Sequence, residues 1–166
     1  YSPGGKYVAY VSDESGWRSL WVAEADGANP NRIETGPGEI GKPDWVPGRT
    51  SVRWTPDGQS LYAIRRHESR DTLLQISWPS RDVTEVATPY TELDGLWVGR
   101  GGALALTAVG LLQPNAIITI DAPGRDPQAR AVTCRATSTV GLLEASSLSK
   151  PELLVATAVD GTPITL

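Results

Sequence analysis

The 166-residue chain has no methionine and no phenylalanine, one cysteine and one histidine. Cys134 has no partner for an intrachain disulfide, so cysteine usage leaves the redox compartment open. A structural zinc site needs several Cys or His ligands, and one of each is too few. No Ca²⁺ loop of alternating Asp/Asn around a central glycine appears. No metal ligands and no cofactor are therefore expected. Any Ser-His-acid constellation inside the chain would have to use His67, and nothing in the sequence places a serine beside it. A surface-loop histidine is the simpler reading, and no catalytic residue is assigned.

Other absences narrow the partners. There is no apolar run of about 18 residues for a membrane helix, and no charged start followed by an apolar core to act as a secretory leader. The net charge is −4, from 15 Lys/Arg against 19 Asp/Glu. No basic patch would supply phosphate affinity, so neither nucleic acid nor membrane is an expected partner. The densest cationic stretch, Arg65-Arg66 and Arg70, is interleaved with Glu68 and Asp71 and reads as a solvated loop. The working expectation for location is the cytoplasm. With no methionine at position 1 and an opening in mid-repeat, the chain is expected to be a fragment of a longer protein.

Glycine (17), proline (13), tryptophan (6) and tyrosine (5) are plentiful, as expected for many short strands joined by tight turns. Ser2-Pro3-Gly4-Gly5 reads as a turn in which Pro3 presets φ and the glycines take the corner. Residues 6–12 follow as a β-branched and aromatic strand, then a loop over 13–17 and a strand over 19–25. Asp26-Gly27 is a hairpin signal, with a last strand near 31–34. Residues 35–49 read as a connector with a short extended piece at 44–46. The pattern restarts at Ser51-Val52-Arg53-Trp54 and Thr55-Pro56-Asp57-Gly58, with strands over 60–66, 72–78 and 83–87. A third copy starts at Leu96-Trp97-Val98, where Trp97 matches Trp54, with strands over 93–98, 103–109, 116–122 and 129–134. Periods of roughly 40–50 residues with four strands each are the signature of propeller blades. The expected fold is all-β: a partial β-propeller of about three four-stranded antiparallel blades, over 1–35, 44–88 and 93–134. Residues 135–150 read as a linker with at most a helical turn near 142–146. Residues 151–166 read as one more hairpin, turned at Asp160-Gly161.

The Ser2-Pro3-Gly4-Gly5-Lys6 opening, the Tyr7 to Asp13 strand and the run from Trp21-Val22 to Gly27 resemble the propeller repeats of TolB-type proteins and of the prolyl oligopeptidase family of serine peptidases. Glu39-Ile40-Gly41-Lys42-Pro43-Asp44-Trp45-Val46 and Thr88-Pro89-Tyr90-Thr91 resemble the last blades of the dipeptidyl aminopeptidase/acylaminoacyl peptidase branch. Leu148-Ser149-Lys150-Pro151-Glu152, followed by Ala158-Val159-Asp160-Gly161-Thr162, is similar to the crossover into the α/β-hydrolase domain of those enzymes. The resemblance implies that 151–166 begin that domain and that the parent protein cleaves short peptides through a serine acyl-enzyme. The propeller would cap the active site and gate substrates. The required Gly-x-Ser-x-Gly elbow does not occur in these residues, so the chain is expected to be the non-catalytic portion. The implied partners are short peptide substrates, further blades and the hydrolase domain. The rival reading is a TolB-like module for protein–protein contact with no hydrolase. An open arc of blades leaves apolar faces and strand edges in water, so association into a homo-oligomer is also expected.

Three features invite a binding role. Gly36-Pro37-Gly38-Glu39-Ile40-Gly41 formally matches a dinucleotide fingerprint, but Pro43 and Pro47 oppose the helix such a site needs; an inter-blade loop is expected. Trp54 and Trp97 share a repeat position and are expected to pack between blades. Trp17, in a loop beside Gly16, is the expected contact with substrate or with the missing domain, and the flanking Glu14 and Arg18 are the expected ligands of a charged peptide end.

Overall fold

The computed structural model describes residues 1–43, 49–122, 131–138, 144–149, 152 and 154–165. The first sheet contains β1 (Tyr7–Ser12), β2 (Ser19–Glu24) and β3 (Asn31–Arg32), in that spatial order. The second contains β4 (Glu39–Ile40), β5 (Val52–Trp54), β6 (Ser60–His67), β7 (Arg70–Ser77) and β8 (Val83–Val86). The third contains β9 (Glu92–Val98), β10 (Leu104–Gly110), β11 (Gln113–Ile120) and β12 (Val132–Thr137) in simple meander order. A separate hairpin joins β13 (Val155–Thr157) to β14 (Pro163–Thr165). All strand pairs are antiparallel. The helical content among the described residues is one 3₁₀ turn, Ala145–Ser147.

The central sheet is covered on both faces, which explains its near-continuous apolar strands. On β6, Leu61 and Ala63 face the first sheet, where they join Leu20, Val22, Ile33, Ile40, Leu74 and Ile76. Tyr62 and Ile64, on the alternate face, join Leu73 and the Leu93, Leu96, Leu104, Leu106, Ile118 and Ile120 set of the third sheet. The β6–β7 register keeps each set together, with Leu61 opposite Ile76 and Ile64 opposite Leu73. A one-residue slip would exchange the two sets, so burial on both sides fixes the pairing.

The inner edge of the central sheet is one strand split in two. β4 pairs with Arg65 and Arg66, and β5 pairs with residues 61–63 of the same β6 edge. Between them, the Gly41 amide donates to the Ile64 carbonyl and the Ile64 amide donates to Ser51, both at 2.9 Å. The chain thus leaves the sheet after Gly41 and re-enters at Ser51. Gly41 has φ +76°, and a Cβ there would lie 3.0 Å from Ser51 Oγ. The connector expected over 35–49 is therefore corrected at Glu39–Ile40, a strand too short to show a period. The extended piece expected at 44–46 lies outside the described residues.

Further corrections follow from packing. The first sheet holds three strands rather than four. The Arg65–Asp71 run is not a solvated loop: β6 and β7 continue through it, leaving only Glu68 and Ser69 in the turn, and Asp71 is buried. Trp54 does pack between sheets, but Trp97 is 60% exposed. The β9–β10 register shifts between Ala105 and Thr107, and this bulge at Gly95-Leu96 turns Leu96 inward and Trp97 outward. The linker expected from 135 starts later, since β12 runs to Thr137. The expected helical turn near 142–146 is met in part by Ala145–Ser147; Leu142 and Leu143 lie outside the described residues.

Candidate functional site

Three loops distant in sequence converge at one end of the first two sheets and enclose a cleft of about 780 Å³, within the usual range for ligand pockets. The β1–β2 loop brings Trp17; the connector that starts at the end of β3 brings Arg32, Glu34, Gly36, Pro37, Gly38 and Glu39; the β6–β7 hairpin brings Arg66 and His67 from the end of β6 and Glu68 from the turn.

Local sequence explains each wall. Ser15 and Ser19 hydroxyls both donate to the Trp17 carbonyl, at 3.3 and 3.2 Å, which ties down the loop while the indole stays 68% exposed. At the floor, Gly38 has φ +107°, and a Cβ on it would meet the Arg66 carbonyl oxygen at 2.3 Å. No other residue fits this approach of two backbones. The Arg65 guanidinium donates to the Thr35 carbonyl at 2.6 Å and to Glu85 at 2.7 Å, pinning the connector to the central sheet. The opposite wall is a two-residue turn with φ of 46° at Glu68 and 61° at Ser69. Both central positions of this tight hairpin are left-handed, normally the place for Asn-Gly. Non-glycine residues held there are strained, and such strain clusters at functional loops.

The charges differ in availability. The Arg66 guanidinium lies 3.4 Å from Asp71, whose carboxylate also accepts the Leu93 amide at 2.9 Å and faces Lys42 at 3.5 Å. The His67 imidazole is 3.8 Å from Glu68. No hydrogen bond links His67 to a serine among the described residues. Arg32, Glu34 and Glu39 have no ion pair among the described residues.

Of the three residues singled out for binding, the cleft takes in Trp17 alone. Glu14 lies outside the cleft lining, its amide donating to Ser12 Oγ at 3.2 Å. Arg18 turns inward, with an amino nitrogen 3.7 Å from where a Gly41 Cβ would sit, and its carbonyl accepts the Ile40 amide at 2.8 Å. Residues Gly36 to Glu39 line the cleft and enter β4, and no α-helix occurs among the described residues to complete a dinucleotide site. Arg32, Glu34, His67 and Glu68 were not legible as site residues, because only the sheet stacking brings their loops together.

No family model matches the sequence. In structure the chain is similar to a puromycin-hydrolyzing peptidase of Mycobacterium tuberculosis, at 18% identity and a TM-score of 0.81, over 96% of this chain and 23% of that one. It is similar to a puromycin hydrolase at 18% identity and a TM-score of 0.78, over 99% of this chain and 24% of that one. TolB from Acinetobacter baumannii matches at 13% identity and a TM-score of 0.62, over 84% of this chain and 32% of that one. The chain spans about a quarter of the length of the two peptidases. At these identities the likeness is one of fold, and it is the fold expected: antiparallel propeller blades of the kind found in those peptidases and in TolB.

Proposed function

We propose that this chain is the non-catalytic propeller portion of a serine peptidase that hydrolyses short peptides, and that it caps the active site and gates substrates. One observation carries the reading. The peptidase matches extend over 96–99% of the chain, whereas the TolB match stops at 84%. The likeness to the peptidases thus takes in more of the chain than blades shared with TolB. A cap of stacked sheets suits gating, since a rigid wall with narrow openings admits short peptides and excludes folded proteins. The cleft adds a surface at one rim of the blades where a peptide can be held.

The decisive test is the coding sequence on the C-terminal side of Leu166. A Gly-x-Ser-x-Gly elbow followed by an acid and a histidine supports the peptidase. A stop codon or an unrelated domain overturns it. The latter result favours the second reading, a TolB-like module for protein–protein contact, which the TolB match supports.

A further inference from the structure

We propose that the cleft between the first and second sheets is a binding site for a cationic side chain, the ammonium of lysine or the guanidinium of arginine, presented by a peptide. The inference rests on the proposed function only in taking a peptide as the carrier of the cation. The starting point is a contrast among the indoles. Trp97, 60% exposed, has the Arg53 guanidinium over its ring at 5.2 Å, and Trp78 has Arg81 at 5.9 Å. Trp17 is more exposed still, at 68%, yet no cation and no second ring covers it among the described residues. An indole face is the strongest aromatic acceptor for a cation, and this one stands open at the mouth of the cleft.

The surroundings carry the same sign. Glu34, Glu39 and Glu68 line the space against Arg32 and Arg66, and Arg66 is engaged with Asp71. Asp71 is shared between Arg66 and Lys42, so the lining itself counts three carboxylates against two guanidiniums, with His67 3.8 Å from Glu68; the excess of carboxylates favours a cation over an anion in the concave space. The walls also supply Pro37 and the indole edge for the apolar stem of a lysine or arginine, which packs along such surface while its head reaches the carboxylates. A carboxylate-bearing ligand meets the opposite situation, facing Glu34, Glu39 and Glu68, while Arg66 is turned toward Asp71 and Arg32 is the lining guanidinium with no ion pair among the described residues.

The test is calorimetric titration of the full chain with acetyl-Ala-Lys-Ala-amide and with its leucine and glutamate counterparts. The lysine peptide is expected to bind at least about tenfold more tightly than either. Trp17→Ala and the double variant Glu34→Gln/Glu68→Gln are each expected to weaken it by about fivefold or more, while Glu14→Gln leaves it unchanged. All the substituted side chains are exposed, and circular dichroism checks that each variant keeps its sheets. Equal binding of the lysine and glutamate peptides, no binding of the lysine peptide, or an unaltered affinity in the variants would each overturn the proposal. Lysine-selective binding by a chain whose gene encodes no hydrolase would keep the cleft and remove the peptidase.

Discussion

The two interfaces of the central sheet are built on alternate positions of the same strands and from different chemistry. Against the first sheet, Trp78 is the hub: Tyr7 meets it edge-on at 5.0 Å and Trp54 at 5.9 Å beside an aliphatic cluster, with the Arg81 guanidinium 5.9 Å from its ring. Against the third sheet no ring pair occurs among the described residues, and an ionic pin takes that place. Asp71, with a side chain fully buried, faces Lys42 and Arg66, and Asp94 faces Arg49 at 3.1 Å and Lys42 at 3.9 Å. Thr50 Oγ1 donates to the Leu96 carbonyl at 2.7 Å beside it. The first interface rests mainly on apolar and ring contacts, beside the Ile40–Arg18 backbone bond, whereas the second adds buried charge that fixes how the third sheet sits, because a buried carboxylate is stable only with its partners in place. A repeat therefore dictates where faces meet, not which force holds them.

The largest effect should come from breaking the pin. Asp71→Ala leaves Lys42 without its buried partner and the Leu93 amide without an acceptor, and should cost about 3–5 kcal/mol in urea unfolding. Trp78→Ala removes the aromatic hub and should cost about 3 kcal/mol. If Asp71→Ala proves milder than Trp78→Ala, the ionic interface is not the stricter of the two. Gly38→Ala, driving a methyl into the Arg66 carbonyl, should cost about 1–3 kcal/mol and alter peptide binding in the cleft more than either interface variant.

The smallest effect sharpens the comparison at the opposite rim, where the two copies of the opening turn differ at two positions, Ser2 for Thr55 and Gly4 for Asp57. In the second sheet Asp57 accepts from the Thr55 hydroxyl at 2.6 Å and from the Gln59 amide at 3.0 Å. The Thr55 hydroxyl, then the Gln59 amide, hold its carboxyl below the usual range. In the first sheet Gly4 occupies that place with open space around it and no positive φ. Gly4→Asp should stabilise the chain by about 1 kcal/mol. A carboxyl with a lowered folded pKa stabilises fully above its unfolded value, and the gain fades as pH falls through the folded one. The difference between Gly4→Asp and the parent should therefore be full at pH 7 and shrink below about pH 4; a gain that persists at pH 2 would show that the added bonds do not involve the ionised group.

These contrasts mark what a sequence reader can see. Strands such as Tyr7–Ser12 and Ser60–His67 announce themselves as aliphatic and aromatic runs that follow Pro-Gly and Asp-Gly turns, and Trp17 is legible as exposed from its place beside Gly16. Asp71 is not, because hydropathy scores the Arg65–Asp71 run as solvated while Lys42 and Leu93, far along the chain, supply what makes burial tolerable. Trp97 misleads in the same way: its repeat position matches Trp54, and only the bulge at Gly95 reverses its face. The cleft is hardest, since Glu34 and Glu68 are ordinary loop carboxylates until sheet stacking brings them to the same cleft.

Turnover of peptide p-nitroanilides by the purified 166-residue chain, and by the same chain extended through the coding sequence that follows Leu166, tests the central claim most directly. The account predicts no hydrolysis by the chain itself and hydrolysis by the extended protein. Turnover by the 166 residues alone that disappears in His67→Ala would contradict it.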